Sequence, residues 1–582
     1  MFKKCLRIKI CLFLTLFLLF GGVFIVKAAI VGEVRNFYID SSYDLYDREE
    51  IEAQLLRISN SSYFYADKSW WEKLTSEDKN RINIKLYELA EEFDEKIYPT
   101  LTSEFGSEWK PGIDNDNRIT ILFHLMKENN GGYFNNGDEY FRLQNPMSNQ
   151  REMVYLSATH TTSNVVKSYL AHEFVHLITF NQKEKIQWTK EEVWLNEARA
   201  EYAPTLCGYD SEYQRSNLQS RVNEFLKNPS DSITEWHGAS ADYGALNLFT
   251  QYLVDHYGVK ILNDSLKSSK KGIESINYAL EKNGFEEDFS QIFTDWTIAV
   301  LVNDCSFGEK YCYKNKNLKN IRIVPESNFL PLTSESSLSV SYSTKNWAGN
   351  WQKIFGGKDT LTFEFKGGEG NNFKVPYLVC ESSNNCSINF LSLDENQKGE
   401  IILEEFNAKY TSLTIIPSLQ SKFSGFDGIE PTYLFNWKAT ISNGTEEDKE
   451  TELIKQLLAQ IAYLKSEIAK IQAQIAAVSG RTTVSCQRFD NDLYYGMIGD
   501  SEVRCLQQFL KNQGAEIYPE GLVTGNFLSL TKTAVIKFQQ KYADDILVPW
   551  GLTSGTGYVG STTRAKLTSL LSDSTSGVRT NR

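Results

Sequence analysis

The stretch 169–180 reads YLAHEFVHLITF and contains His172-Glu173-Phe174-Val175-His176. On a helix, positions i and i+4 share a face, so His172 and His176 can offer imidazole nitrogens to one tetrahedral zinc ion. Glu173, one residue along, lies near such a metal at a different angle, where a carboxylate can take a proton from a water that the metal activates. The chain has six histidines, and two of them fall at this spacing on an apolar helix. A third ligand is available in 194–201, WLNEARAE. Glu197 lies far enough beyond His176 for the first helix to end, turn near 182–187 and give way to an antiparallel helix, which predicts its carboxylate beside the histidines. Glu201, one helical turn further on the same face, suits a hydrogen bond to a ligand histidine. A solvated helix face is the bland reading of this glutamate pair.

A chain of 582 residues predicts three to five domains at roughly 100–200 residues each. Hydrophobic residues make up 41% and charged residues 23%, values that exclude wholesale disorder and a multi-span membrane protein. The net charge is -13, and the first 28 residues hold basic but no acidic side chains, so the remainder is more acidic still. Too little positive charge is left to neutralise phosphates, and nucleic acid is excluded as a general partner. Residues 1–29 combine Lys3, Lys4, Arg7 and Lys9, an uncharged apolar run over 10–26 and a small-residue end at Ala28-Ala29, the pattern of a secretory signal peptide. An uncleaved membrane anchor is the alternative. For an exported chain, the close pairs Cys305/Cys312, Cys380/Cys386 and Cys486/Cys505 suggest three local disulfides, with Cys207 left over; reduced, buried cysteines are the other reading.

These side chains need a scaffold, and the sequence divides into a multidomain one. Residues 30–316 read as α+β, with a helix over 76–98 from Ile82, Leu86, Leu89, Ala90 and Phe93 and a buried strand over 118–125. In 317–445, short β-branched and aromatic segments separated by Gly, Asn and Ser turns predict a β-sandwich. Ile454, Ile461, Ile468 and Ile475 repeat every seventh residue with Leu457, Leu464, Ile471 and Val478 behind them, so 446–478 is expected to be a coiled-coil or spacer helix, able to form a weak homodimer. A small helical bundle over 486–571 and a disordered tail over 573–582 follow. The loop Asp114-Asn115-Asp116-Asn117 could take calcium or be an ordinary Asx turn. His124, His160 and His256 lie outside the motif and read as structural.

HEFVH followed by WLNEARAEYA resembles the gluzincins, zinc peptidases with two histidines and a downstream glutamate. More closely, the chain is similar to the hyicolysin-type neutral zinc metallopeptidases, through FGSEWKPGIDNDNRITIL (105–122), GGYF (131–134), SNQREMVYL (148–156) and YGALNLFTQYLVDHYG (243–258), with a downstream sandwich containing NWAGNWQKI. The resemblance implies a zincin-like catalytic domain, His172, His176 and Glu197 as zinc ligands and Glu173 as general base. It implies a Tyr or His beyond the ligand helix as oxyanion donor, for which Tyr243 is preferred over His237. The segments 500–510, 523–525, 533–539 and 557–564 resemble bacterial peptidoglycan-binding domains, departing from them at Leu528, where glycine is usual, and in an insertion near 544–554. Together these imply a secreted or wall-associated zinc endopeptidase acting on proteins or peptides. A hydrolase of peptidoglycan peptides and a non-catalytic surface adhesin are the alternatives.

Overall fold

A computed structural model describes residues 29–128, 130–332, 335–382, 385–426, 428–442 and 488–576. The leader up to residue 28, the heptad segment 446–478 and Cys486 lie outside the described residues. The chain forms two compact units, dividing at Gln456 and Leu457.

In the first unit a six-stranded sheet consists of β1 (Val34–Tyr38), β2 (Glu50–Ile58), β3 (Ser62–Asp67), β4 (Ile119–His124), β5 (Gly132–Tyr133) and β6 (Met153–Ser157), in the order β1-β2-β3-β4-β6-β5. β3, β4 and β6 run parallel, and every residue in them is buried. Parallel strands covered on both faces need apolar residues throughout, which is why ITILFH shows no alternation. The crossover from β3 to β4 contains α1 (Ser76–Glu92), started by the Thr75 hydroxyl, which accepts from the Asp78 amide at 3.1 Å. Its buried residues are Ile82, Leu86, Leu89 and Ala90, and the helix continues through a π turn at Phe93–Ile97 into Tyr98–Phe105. β5 is an edge strand, paired antiparallel with β6 alone among the described strands.

Helices cover the sheet and continue beyond it: α2 (Val165–Thr179), α3 (Val193–Leu206), α4 (Asn217–Lys227), α5 (Ser240–Tyr257) and α6 (Phe289–Val302). Next come two antiparallel sheets. In one, Lys398–Phe406, Asp359–Gly367, Tyr433–Ser442 and Ser336–Thr344 are neighbours in that order. In the other the order is Asn385–Phe390, Pro376–Ser382, Ser412–Ile415, Gln352–Gly356 and Glu326–Leu330, the last pair parallel. Phe363, Phe365, Phe435 and Trp437 belong to the core between them. The chain is thus multidomain, with mixed helices and several sheets. Disulfides join Cys305 to Cys312 and Cys380 to Cys386. Cys505 is also disulfide-bonded. Cys207 is a buried free thiol, and burial pushes its pKa up to about 12.

The β region does not stand apart from the helices. Trp347 and Trp351 belong to the helical core. The Trp347 ring meets Phe289 and Phe293 edge-on at 5.0 and 5.4 Å, and the Trp351 indole donates to the Thr297 carbonyl at 2.8 Å.

The second unit contains α7 (Ser501–Asn512), α8 (Ser529–Lys541) and α9 (Ser561–Ser576), the last running into the stretch expected to be irregular. It holds an internal repeat not foreseen in the sequence reading. Gln507 donates through Nε2 to the Asn526 carbonyl and the Thr531 hydroxyl, while its Oε1 accepts from the Gly525 amide. Gln539 makes the same three bonds to Tyr558, Thr563 and Gly557, at the same separations of 19, 24 and 18 residues. Each buried amide ties a helix to the loop that opens the next one.

Because Trp347 fills the helical core and is fully buried, Trp347→Ala is expected to destabilise the first unit by about 3–5 kcal/mol. Calorimetry of the full chain checks this: the whole transition of the first unit should move down. A transition of the β region that falls alone would show that the two regions do not share a core.

Candidate metal centre

α2 is buried along most of its length, and it turns His172 and His176 to one side. Their Nε2 atoms stand 3.1 Å apart. From α3, the Glu197 carboxylate reaches both, with Oε2 at 3.3 Å from His172 Nε2 and Oε1 at 3.6 Å from His176 Nε2. Glu201 Oε1 lies 3.3 Å from His172 Nδ1. His176 meets Glu197 while His172 meets Glu197 and Glu201, so α2 and α3 run in opposite senses. A proton on Nδ1, shared with Glu201, leaves the Nε2 lone pair of His172 facing the other donors.

Glu201 is 1% exposed. Arg221 donates to its two oxygens through Nε and Nη2 at 2.8 and 2.9 Å, and Asn217 and Asn247 add amide donors at 3.3 and 3.2 Å. α2, α3, α4 and α5 therefore meet at one carboxylate. The base of α3 is held just as firmly: the fully buried Arg199 pairs with Glu191 at 2.9 Å and donates to Ser265 Oγ at 2.8 Å. Arg221, Asn247 and Arg199 escaped the sequence reading, because isolated polar residues on separate helices give no local signal of convergence.

Glu173 is buried, and its carboxylate lies within 4.8 Å of ligand atoms of both histidines. The edge strand closes over it at Gly132, where an added Cβ would sit 3.0 Å from Glu173 Oε1 and 2.7 Å from the Tyr155 carbonyl. Only glycine allows that approach. The Tyr243 ring lies 6.5 Å from the His172 ring, under the Arg221 guanidinium at 4.5 Å. His237 instead faces Glu235 at 3.1 Å and Asp242 at 3.7 Å. Of the two oxyanion candidates, Tyr243 is the one in ring contact with a cluster histidine. His124 pairs with Asp44 in the core, His256 meets the Cys312 carbonyl, and His160 packs on Tyr169.

Burial opposes charge on His172, yet Glu197 and Glu201 outweigh it and raise its pKa to about 10. Burial likewise opposes ionisation of Glu197, but His176 and His172 hold its pKa down at about 2. Burial raises Glu173, offset in part by the two imidazoles and reinforced by Glu197 and Glu201. Three carboxylates around two imidazoles make a site that draws positive charge. His172, Glu173 and His176 form a cluster that could hold a metal ion, and Glu197 adds a carboxylate to it.

The cluster opens on a cleft of about 280 Å³, lined by His176 with Tyr43, Tyr133, Asn135, Asn136 and Asn196. A wider depression of about 600 Å³, containing Trp109, Tyr140 and Trp188, adjoins it and shares Phe180, Glu184 and Lys190. The loop 114–117 is an Asx turn: Asp114 accepts from the Asp116 amide, and Asp116 from the Arg118 amide and the Tyr63 hydroxyl.

No protein-family model matches the chain, and no curated protein does. Solved structures resemble it weakly. One is PliG of Aeromonas hydrophila, a periplasmic inhibitor of g-type lysozyme, at 9% identity over 20% of this chain and 100% of that one, with TM-score 0.15. CorA, a surface-associated copper-binding protein of Methylomicrobium album BG8, follows at 8% identity over 20% and 98%, with TM-score 0.13. The family GH115 glucuronidase BtGH115A shares 8% identity over 57% and 52%, with TM-score 0.12. Likenesses this low carry no argument about fold or activity.

Removing Arg221 strands a buried carboxylate and frees His172 to turn. Arg221→Ala is expected to cost about 3–5 kcal/mol in urea unfolding and to weaken metal binding by roughly 10–100-fold. Metal affinity measured by competition with a chelator checks the second part; unchanged affinity would detach Arg221 from the site.

Proposed function

We propose that the protein is an exported zinc endopeptidase of the gluzincin type, with zincin-like architecture in its N-terminal half and a wall-binding module at its C-terminal end. The observation that carries this reading is the convergence of His172 Nε2, His176 Nε2 and the Glu197 carboxylate at separations of 3.1, 3.3 and 3.6 Å. Donors held about 2.0–2.2 Å from a tetrahedral zinc lie roughly 3.3–3.5 Å from one another. Glu197 Oε2 is buried without a hydrogen-bond donor, as suits a ligand atom, and the two-nitrogen, one-carboxylate set matches zinc better than calcium or magnesium.

Zinc held by His172, His176 and Glu197 would supply Lewis acidity for a scissile carbonyl and a water. Glu173 would be the group that accepts a proton there and returns it to the leaving nitrogen, a role its raised pKa favours. Burial raises the Tyr243 phenol as well, so it stays protonated and can donate to the oxyanion. The free side of β5 offers backbone groups to an extended peptide, and Gly132 brings that strand against Glu173. Glu201 and Arg221 hold the His172 ring in orientation.

Export is supported by the basic and apolar residues 1–29 and by the disulfides, which persist in oxidising surroundings. Among the described residues no helix is long and apolar enough to cross a membrane. Wall association rests on the resemblance over 486–571 and on the exposed aromatics of the second unit: Tyr494 and Tyr558 stack at 6.2 Å, and Tyr495 and Trp550 are also exposed. Leu528, the departure from the family pattern, is likewise exposed. The same features favour peptidoglycan peptides as a second substrate reading, and parallel assays on casein and on purified sacculi separate the two.

Glu173→Gln is expected to keep zinc at one per chain and to lower kcat by roughly 10²–10⁴-fold. Metal analysis with peptide hydrolysis reads both, and substantial activity in this variant would remove the assigned base. Deleting 446–582 should leave hydrolysis of soluble peptides intact while abolishing co-sedimentation with sacculi, since the second unit has its own core. Equal sedimentation of both forms would dismiss the wall-binding role.

A further inference from the structure

Three tyrosine rings stand in a column across the edge of the six-stranded sheet. Tyr155 of β6 pairs directly with Tyr133 of β5, so the two side chains share one face of the sheet, and their rings stack at 4.2 Å with 8° between the planes. Tyr43 stacks on Tyr133 at 4.5 Å and 24°. Tyr155 already covers one side of the Tyr133 ring, so Tyr43 covers the other, the side turned away from β6. The column thus continues past the last strand with a step close to the strand spacing of about 4.8 Å. Tyr43 holds the place that a side chain of one further strand would take.

Each ring is anchored. The Tyr155 hydroxyl donates to Asp138 Oδ2 at 2.7 Å, and the Asp40 amide donates to the Tyr133 hydroxyl at 3.1 Å. Tyr43 lies in the turn after β1, whose backbone is tied to the residues that follow β4: the Lys127 amide donates to the Tyr43 carbonyl at 2.8 Å, and the Leu45 amide to the Leu125 carbonyl at 3.0 Å. The adjoining Asp44 is buried and pairs with Arg48 at 2.8 Å and His124 at 3.1 Å. The Tyr43 hydroxyl itself has no hydrogen-bond partner among the described residues, and the ring lines the cleft together with His176. Burial raises the pKa of this phenol, and Glu173, Asp40 and Glu197 add to the effect, so the ring lies within the field of the metal cluster.

A peptide that adds to the free side of β5 places successive residues opposite Gly132 and Tyr133. Directly opposed residues of an antiparallel pair point to the same face, with Cβ atoms about 4.5–5.5 Å apart. The residue opposite Gly132 therefore points to the face on which Glu173 stands, and the residue opposite Tyr133 points into the volume that Tyr43 fills. A side chain longer than a methyl group meets the ring there. We propose that Tyr43 determines specificity: the peptide cleaved must carry glycine or alanine at the position that pairs with Tyr133. This inference rests on the peptidase reading and on addition of the peptide to β5.

The test is digestion of a proteome-derived peptide library by the full chain loaded with zinc, with cleavage sites read by mass spectrometry, followed by kcat/KM for a matched pair of peptides carrying glycine or leucine at the selected position. One position close to the cleaved bond should be filled by glycine or alanine, and the glycine peptide should be preferred by roughly 10–100-fold. Tyr43→Ala should bring the pair close to equal, whereas Tyr43→Phe, which keeps the ring, should retain the preference. Large side chains accepted by the parent at every position near the cleaved bond overturn the proposal even if neither variant folds. So does a preference that survives unchanged in Tyr43→Ala. No cleavage of the library at all would instead reject the peptidase reading, and this inference with it.

Discussion

The carboxylate of Glu201 is the point on which the proposed centre depends. It is buried, charged and surrounded by donors from three helices: the His172 ring on α2, Arg221 and Asn217 on α4, and Asn247 on α5, while Glu201 itself stands on α3. Burial alone would make the acid neutral. The guanidinium and the imidazole reverse that and hold its pKa well below the usual carboxylate range. A neutral Glu201 would lose its hold on Arg221, and His172 would lose the partner that selects its tautomer. Helix packing and the orientation of the histidine cluster thus rest on one ionised group.

A second set of contacts fixes α3 from the side of the β region. Glu192, at the start of that helix, accepts from the Gly425 amide at 2.7 Å and from the Trp194 indole at 2.9 Å. Glu235, which follows α4, pairs with Lys345 and accepts from the Glu430 amide. Both are buried carboxylates satisfied across the boundary between the helices and the β region, where Trp347 packs on Phe289 and Phe293. The β region is therefore a brace for the helices that carry the cluster as well as a region with an apolar core of its own. The second unit uses neutral groups for a similar purpose, with Gln507 and Gln539 each closing a helix onto the next loop.

Much of this could be read without a fold. The i, i+4 spacing of His172 and His176 fixes their common face once the segment is helical, and its apolar neighbours require a helix that packs. The buried character of 119–124 follows from a run that is apolar apart from Thr120 and His124, and the disulfides Cys305–Cys312 and Cys380–Cys386 follow from short spacings that geometry can close. Local pattern carries such information because the constraint lies within a few residues. The repeat in the second unit was also present locally, in the recurring Leu-Gln-Gln-Phe and Phe-Gln-Gln-Lys, but its amides become meaningful only when their loop partners are known.

What the sequence by itself determined is the set of donors: two imidazoles, an adjacent acid and a downstream pair of glutamates at helical spacing. What the tertiary structure decided is which distant groups complete them. Arg221 and Asn247 reach Glu201 from other helices, Tyr243 approaches His172 while His237 turns to its own acids, and Gly132 brings an edge strand against Glu173. Tyr43, far from β5 in the chain, stacks on Tyr133 at its edge, whereas the Asp-rich loop 114–117 folds into a turn that uses its own carboxylates. Each of these outcomes depends on packing between segments far apart in sequence, where neither periodicity nor residue type states which side chains will share a buried volume.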